Sequence, residues 1–210
     1  MASYRGHLTF AGLLGAGYGS LALLGGSWDW GSALIAAGLT TLGGLLPDLD
    51  SDSGVPVREL FGVAAAIAPI LLFDRVKTLC QGSSEQTVAM LAVTYLLIRY
   101  VMSFLFKSLT VHRGMFHSIP ALAIAGLATF LIYPSDNAIL RLFLSGAVVI
   151  GFLSHLILDE IYSVDFMGAR LRLNKYAGSA LKLFSKSWPA TLTTYFVLAI
   201  LAWRVALVGH

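Results

Sequence analysis

Long apolar segments recur from one end of this chain to the other, and they constrain its fold more than any other feature. Hydrophobic residues make up 57% of the 210 residues, whereas only 12% are charged. A soluble domain carries about 25% charged residues and could not bury so much apolar surface, so a bilayer must solvate most of the chain. In lipid the backbone must satisfy its own hydrogen bonds, and continuous apolar segments without alternation favour helices over a barrel.

The sequence therefore predicts an all-α, polytopic transmembrane helix bundle with about seven spans, within a range of five to eight. The spans cover roughly residues 8–27, 30–47, 58–73, 86–106, 119–133, 138–158 and 189–208. We interpret the first as a span, because it is too long for the apolar region of a signal peptide. Ser118 is predicted to cap the fifth span, with Pro120 in its first turn. Residues 1–210 are predicted to form one membrane domain, and the oligomeric state stays open.

The longest polar stretch, roughly 160–188, has a helical pattern of its own. Apolar residues recur at helical spacing in its second half, and lysines occupy the opposite side: the apolar positions are Leu173, Tyr176, Ala177, Ala180, Leu181, Phe184 and Trp188. This pattern predicts an amphipathic helix near 173–188 that lies in the membrane interface.

Threading the chain through seven spans places most of its histidines and several aspartates at one membrane face. The residues that reach this face are His7, Asp48, Asp50, Asp52, His112, Arg113, His117, His155 and Asp159. Most of the Lys and Arg residues sort to the same side, so the positive-inside rule predicts that it faces the cytoplasm. The basic residues are explained by this topology and the net charge is only +3, so nucleic-acid binding is not predicted.

His155 and Asp159 are the strongest local signal in the sequence. Residues four apart share a helix face, so both side chains can reach one metal ion. An ionisable pair near the end of an apolar helix is costly and indicates function. The structural alternative is a His–Asp hydrogen bond that joins two helices.

Two further motifs supply candidate ligands. His112 and His117 flank Gly114, which permits the turn that would let both histidines converge. Arg113 offers a guanidinium suited to a phosphate or carboxylate; alternatively it meets lipid headgroups. Asp48 and Asp50 can both ligate metal from a non-helical segment; the alternatives are a solvated acidic loop and a calcium loop.

Together the candidate metal ligands are His7, Asp48, Asp50, His112, His117, His155 and Asp159. The set exceeds the needs of one four-coordinate ion, so one or two ions are expected. Nitrogen and carboxylate donors favour zinc, with manganese or iron as alternatives. The single cysteine, Cys80, excludes a cysteine-rich site.

These motifs, in this order, resemble the YdjM-like family of membrane-bound metal-dependent hydrolases. The resemblance rests on His7, Leu-Pro-Asp48-Leu-Asp50-Ser, His112-Arg113-Gly-Met-Phe-His117-Ser and His155-Leu-Ile-Leu-Asp159, and it covers roughly residues 1–160. It implies metal-dependent hydrolysis at a membrane and leaves the substrate undefined. The predicted location is the inner or plasma membrane.

The predicted function is a phosphoesterase that acts on a lipid or lipid-linked substrate at the cytoplasmic face. Asp50, Arg113 and His117 are the predicted catalytic residues, and Arg113, Arg170 and Arg172 would bind the phosphate. One alternative is a zinc-dependent amide or acyl hydrolase of ceramidase-like type, which ligands deep in the bundle would favour. The other is a metal transporter or a metal-stabilised scaffold, although Arg99 is the only charge predicted in the middle of a span.

Overall fold

The computed structural model describes residues 3–50, 55–105, 115–133, 135–167, 170–173, 182–185 and 187–208. For Asp50, Pro56, Leu71 and both strands it describes the backbone only. The elements in chain order are α1 (Tyr4–Leu24), α2 (Trp30–Gly43), a 3-10 helix (Pro47–Asp50), α3 (Val55–Leu79), α4 (Ser84–Leu96), α5 (Ile119–Ile132), α6 (Ala138–Ile161), β1 (Val164–Met167), β2 (Arg170–Leu173) and α7 (Trp188–Val208). Helix α4 continues through a π-helical segment, Leu97–Met102, and the apolar helix as a whole covers Ser84–Leu105. Below, α4 denotes this whole helix.

Helices dominate the described chain, as predicted, but the count of seven spans is not confirmed. Within the described residues, four helices are long and apolar enough to cross a membrane: α1, the Ser84–Leu105 helix, α6 and α7. Helices α2 and α5 have 14 residues each. At 1.5 Å per residue each reaches about 21 Å, which is less than the ~30 Å hydrocarbon core.

Two compact units divide the chain: Met1–Asp48 with Arg113–His210, and Leu49–His112. In the first unit, α2 packs against both α1 and α6. This packing is close because small residues face each other. A Cβ atom added at Gly151 of α6 would collide with the carbonyl oxygen of Thr40, and one at Gly43 would lie 2.5 Å from the carbonyl oxygen of Val148. The predicted single domain over 1–210 stays a prediction.

Capping residues define where several helices begin. The Ser3 hydroxyl accepts a hydrogen bond from the Gly6 amide at 3.2 Å at the start of α1. Ser118 caps α5 by accepting from the Ala121 amide at 3.2 Å, and Pro120 lies in the first turn, as predicted. The Ser118 cap also fixes the residue before it, His117.

The predicted interfacial helix near 173–188 is wrong for the residues that the structure describes there. Leu173 ends β2, which pairs with β1 in an antiparallel hairpin. Lys182 forms an isolated parallel bridge with Ser118, and the Ile119 amide donates to the Lys182 carbonyl at 3.2 Å. The Lys182 carbonyl therefore accepts a hydrogen bond from a distant segment, and Lys182 is not helical. Residues 174–181 and 186 lie outside the described chain.

Candidate metal centre

Helix α6 contributes two buried side chains from its last two turns. His155 and Asp159 are separated by one helical turn, and His155 Nε2 lies 3.6 Å from Asp159 Oδ2. Both are buried, as are the small residues Ser154 and Gly151 before them. The helix ends at Ile161, so at 1.5 Å per residue the two side chains start within about 9 Å of its end.

Helix α1 adds His7 from its first turn. His7 Nε2 lies 3.2 Å from Asp159 Oδ1, and the His7 ring stacks on the His155 ring with centroids 3.6 Å apart and planes inclined by 9°. His7 is buried, and its Nδ1 has no hydrogen-bond partner in the described part of the chain. A residue four positions into α1 thus meets one three positions from the end of α6.

The 3-10 helix after α2 brings in Asp48. Its Oδ1 lies 3.6 Å from the Nε2 atoms of both His117 and His155. Burial raises the pKa of the Asp48 carboxyl, but the His117 side chain and the charge of His155 lower it by more, so its pKa lies below the ordinary value. Asp48 is therefore a carboxylate that can accept a proton or bind a cation.

His117 enters from the turn before α5. Its Nε2 lies 3.6 Å from Asp48 Oδ1 and 3.8 Å from Asp159 Oδ2. Its neighbour Ser118 is fully buried, and the Ser118 hydroxyl donates to the Met115 carbonyl at 2.5 Å. Ser118, the residue after His117, is thus held both by the α5 cap and by its pairing with Lys182.

A backbone carbonyl sets the orientation of the His155 ring. His155 Nδ1 lies 2.7 Å from the carbonyl oxygen of Gly44. Because a carbonyl only accepts, Nδ1 carries a proton, so in the neutral ring the lone pair that can bind a metal is on Nε2. That Nε2 is buried and has no hydrogen-bond partner among the described residues, yet it faces Asp48 and Asp159. Gly44 was not among the predicted site residues, since a carbonyl leaves no side-chain signal in a sequence.

The spacing of these atoms suits a metal ion better than a hydrogen-bond network. Four of the five His–Asp distances are 3.6–3.8 Å, longer than a hydrogen bond. Ligands placed tetrahedrally 2.0–2.1 Å from zinc lie about 3.4 Å apart. Two overlapping groups could hold an ion, His7–Asp48–His155 and His117–His155–Asp159. Imidazole and carboxylate donors fit zinc, manganese or iron.

The structure brings five of the seven predicted metal ligands together: His7, Asp48, His117, His155 and Asp159. Asp50 is the last residue of the 3-10 helix, and the structure describes its backbone but not its side chain. His112 and Arg113 lie outside the described residues. Arg170 and Arg172 belong to β2, of which only the backbone is described.

Comparison with known proteins agrees with the resemblance found in the motifs. The family described as YdjM inner membrane protein matches residues 1–208, including the segment after Asp159. No curated protein and no solved structure matches the chain. Since the family match covers almost the whole chain, and four helices are long and apolar enough to span a bilayer, this chain belongs to the YdjM inner membrane protein family and is an integral membrane protein of the inner membrane.

Proposed function

We propose that this protein is a metal-dependent hydrolase of the inner membrane that cleaves a phosphoester bond in a lipid or lipid-linked substrate. The observation that carries the proposal is the environment of His155. Its Nε2 is buried, carries the lone pair of the neutral ring because the Gly44 carbonyl engages Nδ1, and lies 3.6 Å from two carboxylates. Burying such a set without a cation would be costly, because each polar atom would lose its water.

The solvent accessibility of the five side chains suggests which of them bind the metal ion and which contact the substrate. His7, His155 and Asp159 are almost fully buried, whereas the side chains of Asp48 and His117 are 20% and 13% exposed. The buried three would hold the ion, here zinc, with manganese or iron as alternatives. Asp48 and His117 line the accessible side, where a substrate and a water molecule would enter.

A divalent ion held there would supply a Lewis acid that polarises a phosphoryl oxygen and lowers the pKa of a bound water towards ~7. Asp48, with its lowered pKa, is ionised at neutral pH and can accept a proton at a carboxylate oxygen. His117 Nε2, 3.6 Å from Asp48 Oδ1, is placed to pass a proton to a leaving alkoxide. Asp50 stays a second candidate for the proton acceptor.

The position of the ligands along their helices favours a phosphoester over an amide. His7 is the fourth residue of α1, and Asp159 is the third from the end of α6. Side chains in the first or last turn of a spanning helix lie near the headgroups, where lipid phosphates are found. We propose that the phosphate is bound by Arg113, Arg170 and Arg172, because a guanidinium pairs with phosphate through two hydrogen bonds. We propose that this face is cytoplasmic, from the bias of basic residues.

The test begins with the metal content of the full-length protein, purified in detergent and measured by mass spectrometry. Phosphate release is then assayed from phosphatidic acid and from a prenyl diphosphate, with and without chelator. We expect stoichiometric metal and chelator-sensitive phosphate release, both lost in His155→Gln. Leu153→Ala is the matched control, because Leu153 lies on α6 but is 37% exposed, and it should retain both.

Other outcomes would assign another function. Metal-dependent release of fatty acid from a ceramide, with no phosphate release, would replace the phosphoesterase by the ceramidase-like alternative. Bound metal with no hydrolysis of either substrate class would indicate a metal-binding scaffold. Metal uptake into proteoliposomes would indicate a transporter. Metal-free wild type, or full activity in His155→Gln, would reject the hydrolase.

A further inference from the structure

Arg99 is the one charged residue between positions 86 and 105 of the apolar α4 helix. It lies in the π-helical segment Leu97–Met102. A charged residue in a membrane helix is costly and is kept where it has a partner or a function. A π-helical turn inserts an extra residue and re-aims the side chains around it, and such turns are frequent at functional sites. Both features single out the same position.

The guanidinium of Arg99 lies against helix α3. Its Nη1 donates a hydrogen bond to the backbone carbonyl of Arg58. Gly62, one turn further along α3, faces the guanidinium: a Cβ atom there would be in van der Waals contact with it, 3.4 Å from Nη1 and 3.6 Å from Cζ of Arg99. The guanidinium is thus seated on the α3 backbone at a position where a larger side chain would displace it.

Arg58 adds a second guanidinium at this end of α3. Its side chain is 60% exposed, and Nε and Nη2 donate to Glu59 Oε1 at 3.2 and 3.1 Å. An exposed ion pair of this kind contributes little stability, so the Arg58 side chain can exchange its partner at small cost. The formal charges of the three described residues Arg58, Glu59 and Arg99 sum to +1.

We infer that Arg99 and Arg58 bind the phosphate of an anionic phospholipid headgroup in the corner between α3 and α4. A guanidinium has five N–H donors, and among the described residues the Arg58 carbonyl engages one of those of Arg99, at Nη1. Large apolar side chains are exposed along the helix on the side of Arg99 that faces the middle of the span, at Val93, Leu96 and Leu97. The acyl chains of a bound phospholipid would cover this apolar surface, whereas inorganic phosphate would not. The surface therefore favours a phospholipid. The inference uses no residue of the metal centre and does not depend on the proposed hydrolysis.

The experiment measures lipid retention by native mass spectrometry. Full-length protein is delipidated, reconstituted with equal amounts of phosphatidylglycerol and phosphatidylcholine, and released from the membrane mimetic. We expect wild type to retain phosphatidylglycerol preferentially. Arg99→Gln should lower that preference about fivefold, the effect of one basic residue near an anionic lipid surface. Arg58→Gln, an exposed change that the fold should tolerate, should lower it by a similar factor.

Two further variants separate a built site from general charge. Gly62→Leu keeps every charge but fills the space that the guanidinium occupies, so it should lower the preference as Arg99→Gln does. Arg75→Gln removes the same charge from the other end of α3 and should leave the preference unchanged.

Three results would overturn the inference. The first is equal retention of both lipids by wild type. The second is an equal loss in Arg75→Gln and Arg99→Gln, which would make the preference a matter of total charge. The third is displacement of phosphatidylglycerol by inorganic phosphate alone, which would make the corner a site for the free anion.

Discussion

Helices α6 and α4 have the same hydropathy but are buried by protein to very different extents. Their apolar windows both have a mean hydropathy of 1.9, over helices of 24 and 22 residues. In α6, 56% of the 18-residue apolar segment is buried inside the protein, whereas in α4 only 6% of the corresponding segment is buried. Hydropathy reports that a helix can lie in lipid, because lipid and a membrane-protein interior are equally apolar. It does not report which of the two surrounds the helix.

Side-chain size accounts for the difference. Helix α6 presents Ser145, Ala147 and Gly151 to its neighbours, and these small residues let backbones approach closely. Helix α4 exposes bulky residues such as Tyr100 and Phe104. The ionisable residues of the two helices differ in the same way. Helix α6 buries His155 and Asp159, whereas Arg99 of α4 donates a hydrogen bond to the backbone of α3.

The strongest challenge to this comparison is Gly151→Ala on α6. The added methyl would collide with the Thr40 carbonyl, and overpacking of this kind costs about 3 kcal/mol. We expect a lower midpoint of thermal unfolding and loss of bound metal, because Gly151 lies one turn from His155. Gly17→Ala on α1 is the control, since a Cβ there meets nothing within 4 Å. An unchanged midpoint in Gly151→Ala would contradict the close packing.

A pair of identical truncations sharpens the comparison. Leu144 on α6 is fully buried, whereas Leu96 on α4 is 51% exposed. Leu144→Ala leaves a cavity and should lower the free energy of unfolding by about 2 kcal/mol. Leu96→Ala should cost under ~0.5 kcal/mol, because lipid fills the space. Unfolding in denaturant at fixed detergent concentration measures both. Equal losses would mean that α4 also packs against protein.

The smallest expected effect tests whether an exposed helix still contributes to the candidate metal centre. Only 6% of the α7 window is buried, yet the Tyr195 hydroxyl donates to the Leu183 carbonyl at 3.2 Å, next to the Lys182 that pairs beside His117. Tyr195→Phe removes this hydrogen bond and should cost about 0.5 kcal/mol. Zinc affinity, measured by competition with a chelating dye, should fall at most about threefold. Phe196→Leu, at a lipid-exposed position, should change nothing. A tenfold loss of affinity in Tyr195→Phe would show a stronger coupling than one exposed hydrogen bond allows.

Much of the candidate site could be predicted from local spacing. Residues four apart on a helix share a face, so His155 and Asp159 had to point the same way. Threading the spans then placed His7, Asp48 and His117 at the same face, and the structure has all three within 4 Å of another member of the set. The Gly44 carbonyl was missed, because a contact between a side chain and a distant backbone atom leaves no pattern in either segment.

The sequence by itself determined that this chain enters a membrane as helices and that its imidazoles and carboxylates gather at helix ends, because hydropathy and helical spacing are local properties. Only the tertiary structure decided that most of α6 is buried by protein while most of α4 is exposed, since their hydropathy is equal. It also decided that Lys182 pairs with Ser118 in place of a helical turn. Contacts between distant segments depend on shape complementarity and on which backbone groups remain to be paired, and neither can be derived from periodicity.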